Sequence, residues 1–303
     1  MEKLFSSGKL LLMGEYAVLH GADAVCLPLK TGQELTVTDT TPGEIHWKWT
    51  YKDHVLAHFT LNAATLDERT ILAGSTDWVL RLLHLVRKQD PDFLRTGGKS
   101  LVFVNDFPPQ WGLGSSSATI SSLCRLAGLN PYEVNRQLMG GSGADIACTT
   151  AQNWFLYRND DKGPQTWEIP FNYHFSDNTW FVYSGKKMET ASHLKSFSSH
   201  ARPAVSWMTA NDYVYRFISV PTLPEAMKII YEHELLIGEA IGEESISHRF
   251  CDFPGKVKSL GAWGGDFFMA LSQQDSGFVK KYFQGRGYDT VLSWEELTEK
   301  KFF

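Results

Sequence analysis

Between Phe107 and Leu123 the chain reads FPPQWGLGSSSATISSL. Pro108 and Pro109 stiffen the approach, and Gly112-Leu113-Gly114 gives a bend that residues with a Cβ resist. Ser115, Ser116 and Ser117 follow at once, and behind them Ala118, Ile120, Leu123, Leu126 and Ala127 recur at helical spacing. The stretch reads as a glycine turn feeding the N-terminus of a buried helix. Such an end presents unpaired N–H groups and the positive end of the helix dipole. Phosphate oxygens suit it, and the hydroxyls add donors or a metal ligand. A serine-capped helix that binds nothing has the same local pattern, so other parts of the chain must decide.

Two further residues could do chemistry. Lys9 lies inside the apolar strand of residues 3–13, beside Leu10, Leu11 and Leu12. In a central strand its ammonium needs an anionic partner; on an edge strand it would merely discourage pairing. Asp145 follows Gly143 in the segment GSGADIA, and a turn acid capping its own backbone is common there. Gly97-Gly98-Lys99-Ser100 imitates the tail of a P-loop, but Phe93 stands where the leading glycine belongs and a strand follows instead of a helix. It reads as a hairpin or the turn that leads into a strand.

The elements around these residues can be placed. Leu35–Thr38 alternates, Thr41-Pro42-Gly43 is a turn, and Ile45–Tyr51 is extended and aromatic. From Ser75, Trp78, Leu82, Leu85 and Val86 share a helix face that ends at Asp90-Pro91. Asn130 as cap, Pro131 at the first helical position and Glu133 predict a capping box, with the helix ending at Gly140-Gly141. Asn159–Gly163 is a polar turn and Trp180–Tyr183 a strand before Ser184-Gly185-Lys186-Lys187. Residues 190–250 read as mostly helical, broken by Pro221 and Pro224. Lys256–Leu260, the glycine loop GAWGG and Phe267–Leu271 read as strand, loop, strand; a helix (Ser276–Phe283) and a strand (Thr290–Leu292) close the chain.

Composition narrows the function. The 303 residues allow one large or two ordinary domains, and 43% hydrophobic content supplies a core. A net charge of -5, with no basic-aromatic cluster, argues against nucleic acid as partner. Cys26, Cys124, Cys148 and Cys251 are far apart and form no CxxC, which predicts free buried thiols in a reducing cytoplasm. The ten histidines show no metal-binding spacing, and no segment reads as a membrane span or signal peptide core.

Taken together, SSGKLLLMGEYAVLHG, PPQWGLGSSSA, GSGADIA and KSLGAWGGDFFMA resemble the motifs of the GHMP kinase superfamily, in its mevalonate kinase and phosphomevalonate kinase branch. They cover about a sixth of the chain but span nearly all of it. The resemblance implies an α+β fold of two domains, an N-terminal ATP-binding domain over 1–165 and a C-terminal ferredoxin-like domain over 166–303, with the site in the cleft between them. It implies that Pro108, Trp111, Gly112, Leu113, Gly114, Ser115, Ser116 and Ser117 bind ATP. Ser116 aligns with a Mg2+-binding serine, and Glu133 is a second candidate metal ligand. Asp145 aligns with the aspartate that takes the proton of the substrate hydroxyl, and Lys9 with the lysine that pairs with that aspartate or with the transferring phosphoryl. Glu15, Tyr16, His20, Gly143 and Gly264 would contact substrate.

The chain departs from the pattern in places. Val134 stands where the family's mevalonate kinases usually carry a magnesium-binding glutamate, Trp263 replaces a small residue, and Tyr16 replaces a histidine as in phosphomevalonate kinases. The expectation is a cytoplasmic ATP- and Mg2+-dependent kinase of a small hydroxylated acid, mevalonate first and phosphomevalonate second. It needs no nucleic acid or membrane, and a homodimer is open. A non-catalytic ATP and metabolite sensor is the rival class. A decarboxylase of the same fold fits less well, because the N-terminal segment reads as the kinase version.

Overall fold

Alternation along the first strand sets its two faces. In β1 (Glu2–Met13) Ser6, Gly8, Leu10 and Leu12 are buried, while Lys9 and Leu11 between them are partly exposed. The computed structural model describes residues 1–66, 75–95, 97–169, 173–185, 207–263 and 265–298. The chain divides into two units. The first comprises Met1–Gly8, Thr31–Pro109 and Gly114–Thr150, and the second Lys9–Lys30, Gln110–Leu113 and Ala151–Phe303.

In the first unit, β2 (Ala24–Thr40) pairs antiparallel with β5 (Gly98–Asn105) from Gln33 onward. β5 runs parallel to β3 (Glu44–Tyr51), which pairs antiparallel with β4 (His54–Asn62). Helix α1 (Ser75–Gln89) buries Val79, Leu82, Leu83 and Val86, with Trp78 and Leu85 packed at the margin. Trp47, stacked on Phe59 and tilted against Phe103, belongs to this core. The expected buried helix is α2 (Ser115–Ala127), with Ala118, Ile120 and Leu123 buried and Gly128 at its C-cap in the left-handed conformation.

Helix α3 (Pro131–Leu138) starts where Asn130-Pro131 placed it, but the capping box does not form. The Asn130 side chain accepts from Tyr132 N–H instead, while the Glu133 carboxylate is bonded by Arg136 (2.8 Å) and Gln137 (2.7 Å) of its own helix. A guanidinium one turn away competes better for a carboxylate than a backbone N–H does.

In the second unit, the start of β2 pairs with β6 (Phe155–Asp160), and β6 with β7 (Gly163–Glu168) through the polar turn. A second sheet holds β8 (Thr179–Tyr183), β9 (Gly255–Ser259), β10 (Phe267–Ser272) and β11 (Val291–Ser293) in the order β11-β8-β10-β9, every pair antiparallel. Helices α5 (Thr209–Ser219) and α6 (Leu223–Ile241) lie between β8 and β9, and α7 (Ser276–Gln284) between β10 and β11. This βαββαβ path is the ferredoxin-like arrangement. Part of the stretch expected to be helical lies outside the described residues. Pro224 sits in the first turn of α6, where a proline's missing N–H costs nothing, so it starts that helix. Phe250, Phe268 and Phe283 centre the second core.

Two short helices complete the set, α4 (Ala144–Cys148) in the first unit and α8 (Trp294–Leu297) in the second. Among the described residues no helix is long and apolar enough to cross a membrane. The four cysteines are free; three are buried and Cys251 is exposed. Burial pushes the Cys124 thiol up to about 12, so it carries almost no thiolate at neutral pH.

Candidate active site

The glycine turn of the phosphate-binding segment is built as its sequence demands. Gly112 and Gly114 have φ of 68° and 95°, in the left-handed region. Gly114 caps α2, and its carbonyl accepts from Ala118 N–H (2.9 Å). In the first turn of α2, Ser115 and Ser117 are buried and Ser116 is half-exposed. The helix is held by its own hydroxyls. Thr119 donates within reach of Gln33 Oε1 (2.9 Å), and Ser122 pairs with Ser6 (2.9 Å).

Asp145 belongs to the same unit as that helix start. Gly143, φ 86°, caps α4 and places Asp145 in its first turn, half-exposed. Ile146 joins the core that also holds Ile120 and Leu123. At the far end of α4 the Thr149 hydroxyl donates to Ser121 of α2 (2.7 Å). The helix bearing Asp145 is thus fixed against the helix that begins with the three serines.

The second unit gathers three other segments that are remote in sequence. Lys9 N–H donates to the carbonyl of Leu113 (3.0 Å), joining β1 to the glycine turn. Lys9, Trp111, Gly112, Gly261 and Asp266 line one small pocket of about 10 Å3. Trp111 packs edge-on against Phe267 (5.6 Å) and beside Tyr183 (6.0 Å), whose hydroxyl donates to the Gln110 carbonyl (3.1 Å). Asp266 adopts φ 48°, unusual for a residue with a Cβ, and its carbonyl accepts from Ser184 N–H (2.7 Å). A Cβ on Gly112 would lie 2.2 Å from the Asp266 carboxylate, so any larger residue there must push that side chain aside. Burial, helped by the Asp266 charge, raises the Tyr183 hydroxyl pKa.

The continuation of β1 leads to a buried charge network. Glu15, 1% exposed, takes a hydrogen bond from Lys258 of β9, which also donates to the Ser259 carbonyl (2.8 Å). Burial, outweighing the Lys258 ammonium, pushes the Glu15 carboxyl up to about 7. Gly14 N–H donates to His233 Nε2 (3.2 Å), so the neutral ring carries its proton on Nδ1. That atom lies 3.9 Å from Glu15 Oε2, and neither has a hydrogen-bond partner among the described residues. Burial holds His233 well below its ordinary pKa, hence neutral. Neighbouring Glu234 accepts from Ser259 N–H (2.9 Å), Ser259 Oγ (3.0 Å) and Ile246 N–H (3.1 Å), and burial raises its pKa.

The other expected substrate contacts fall as follows. Tyr16 is buried, and its hydroxyl accepts from Trp263 N–H (3.0 Å), tying the end of β1 to the C-terminal glycine loop. His20 is exposed and stacks on Trp207 with ring centres 4.7 Å apart. Gly264 lies outside the described residues. Glu133 sits on the surface of α3 in its pair with Arg136, and Val134 is fully buried. Among the described residues no three His, Cys, Asp or Glu side chains are grouped to hold a metal.

Sequence reasoning assigned nothing to Asp266, Lys258, His233 or Glu234. The first was in view, since it closes the run GAWGGD. The other three lie within the stretch read as helical and the segment read as a strand, and nothing in their local sequence announces their partners.

No family model matches the sequence, and no curated protein does. Solved structures match over almost the whole chain. The mevalonate kinase of Methanococcus jannaschii is 17% identical, covers 96% of each chain and gives a TM-score of 0.72. The phosphomevalonate kinase of Streptococcus pneumoniae, solved with phosphomevalonate and AMPPNP, is 14% identical at the same TM-score and covers 97% of this chain and 98% of its own. The galactokinase of Lactococcus lactis, solved with galactose, is 11% identical with a TM-score of 0.67, covering 96% and 92%. The fold is that of the GHMP kinases. Its two-sheet α+β organisation agrees with the one the four motifs imply.

Proposed function

We propose that the protein is an ATP-dependent kinase that transfers the γ-phosphoryl group to the hydroxyl of a small carboxylic acid, with mevalonate as the first candidate. The observation that carries this reading is the pocket at which Lys9, Gly112 and the residues Gly261 and Asp266 meet. A merely structural role would not require three remote glycine-bearing segments to converge on one cationic side chain.

Phosphoryl transfer asks a protein for positioning and charge neutralisation more than for covalent help. The turn at Gly112 to Gly114 and the start of α2 supply N–H donors for the polyphosphate. Lys9 offsets charge on the transferring group. Asp145 orients the acceptor hydroxyl and takes its proton as the oxygen bonds to the γ-phosphorus; the bond to the β-bridging oxygen breaks, and ADP leaves with that electron pair. Mg2+ bound with the nucleotide would neutralise phosphate charge. Ser116 has the half-exposed hydroxyl to contribute to it, whereas Glu133 is occupied by Arg136 and Gln137.

The test is ADP release from Mg-ATP with mevalonate and then with phosphomevalonate. Asp145→Asn is expected to bind ATP nearly as well as the wild type and to lose at least about a hundredfold in turnover. Turnover with phosphomevalonate alone moves the assignment to the next phosphorylation. Normal turnover by the variant refutes the role of Asp145, and ATP binding without turnover on either acid supports the sensor reading.

A further inference from the structure

We propose that Glu15 and His233 form a buried, proton-operated latch: open while Glu15 Oε2 carries a proton, and closed by a hydrogen bond from His233 Nδ1–H once that proton leaves.

The tautomer of the ring sets the geometry. Gly14 N–H donates to His233 Nε2 (3.2 Å), so Nε2 offers its lone pair and the proton of the neutral ring sits on Nδ1. That N–H lies 3.9 Å from Glu15 Oε2, beyond hydrogen-bond reach. Both side chains are sealed from solvent, and neither atom has another hydrogen-bond partner among the described residues. An ionised oxygen facing a buried N–H would draw it in, because each group otherwise bears the cost of burial alone. Glu15 Oε1 already accepts from Lys258, so a proton on Glu15 belongs to Oε2. Oε2–H then faces Nδ1–H, donor against donor, and the two stand apart. The 3.9 Å gap is the spacing of the open form.

The groups packed around the pair decide when it closes. Burial holds the proton on Glu15 most strongly, Lys258 of β9 opposes it, and Glu234 of α6 favours it, so that it leaves at about pH 7. His233 does not compete for it, since burial and then Lys258 keep the ring neutral. Tyr213 of α5 meets that ring edge-on, with centres 6.1 Å apart. Tyr16 adjoins Glu15, and its hydroxyl accepts from Trp263 N–H. Closing would add a second bond between the end of β1 and α6, beside that of Gly14, on the segment that Tyr16 ties to the C-terminal glycine loop.

The experiment is an NMR titration of the full chain from about pH 5 to about pH 9, with 15N in the histidine rings and 13C in the glutamate carboxyl groups. His233→Gln and Glu15→Gln identify the two resonances by their loss. The His233 ring is expected to stay neutral with its proton on Nδ1 throughout. The signal of that proton should move downfield with a midpoint near 7, and the Glu15 carboxyl carbon should titrate with the same midpoint. Glu15→Gln should abolish the movement. Because that variant leaves the buried Lys258 ammonium without its carboxylate, the double variant Glu15→Gln, Lys258→Met restores the charge balance and should abolish it likewise. A proton on Nε2, or a ring that becomes cationic within this range, overturns the proposal. So does a wild-type signal that does not move, a midpoint that differs from that of the Glu15 carbon, or a movement that persists in either variant.

Discussion

Lys9 and Glu15 stand six residues apart on one segment and meet opposite fates. Lys9 is half-exposed at a pocket whose walls are a glycine turn and a strained aspartate. Glu15 is sealed among Lys258, His233 and Glu234. Both are charged residues of one motif, yet one is presented and the other is spent on holding the segment. The difference teaches that one segment can present a half-exposed charge at a pocket and seal another charge away to hold itself in place, and that burial separates the two. Glu15 joins the end of β1 to β9, and β9 leads straight into the glycine loop that bears Asp266.

The sharpest way to break this contrast is to remove the partner of the buried carboxylate. Lys258→Met is expected to cost about 3 kcal/mol at pH 9, read from urea unfolding, because without its ammonium Glu15 loses about 1.4 kcal/mol for each pH unit above about 7. The sign with pH follows from the raised pKa. Folding holds the Glu15 proton more tightly than the unfolded chain does, whose ordinary value is 4.5. Its stabilisation is therefore fully present below about pH 4.5 and is lost as pH rises through about 7. Without Lys258 to lower that pKa, the loss extends to higher pH. The gap between variant and wild type should be small at pH 5 and widen above 7. A gap that does not change with pH would mean Glu15 does not carry the charge.

Tyr16→Phe tests the second tie. It leaves the Trp263 N–H without its acceptor in a buried place and should cost about 1–3 kcal/mol by thermal or urea unfolding. Gly112→Ala tests the presented side and should have the smallest effect on stability. A left-handed alanine costs about 1–2 kcal/mol, and its methyl group must drive the Asp266 carboxylate away. Its larger signature should be a weaker affinity for ATP, because the turn read as the phosphate site is distorted. If the alanine variant binds ATP as the wild type does, that turn does not hold the phosphates.

Much of this architecture was legible in local pattern. The helix behind the serines, the start of α3 at Asn130-Pro131 and the strand-loop-strand around GAWGG all follow from spacing and backbone freedom, which are properties of neighbours in sequence. The capping box failed because Arg136, three residues on, outcompeted a backbone donor for Glu133. The buried network was illegible for a different reason. His233 and Glu234 sit in a helix whose sequence, YEHELL, resembles a solvated face. What buries them is Gly14, 219 positions away, and Ser259 on another strand. Asp266 was in view at the end of GAWGGD but carried no assignment, since only the fold brings it to Gly112.

The indole of Trp263 imposes a condition on a distant position. A Cβ on Gly238 of α6 would come within 3.0 Å of that ring and within 2.9 Å of the Glu243 carbonyl. The smallness of residue 238 is therefore tied in part to the bulk of residue 263. Across a collection of related sequences the two columns should covary: where 263 is glycine, 238 is released from the indole and is held only by the Glu243 carbonyl. A lineage that acquired the tryptophan first, with anything larger than glycine at 238, would have passed through a poorly packed intermediate, so the order of the two substitutions is written into the geometry of the pair.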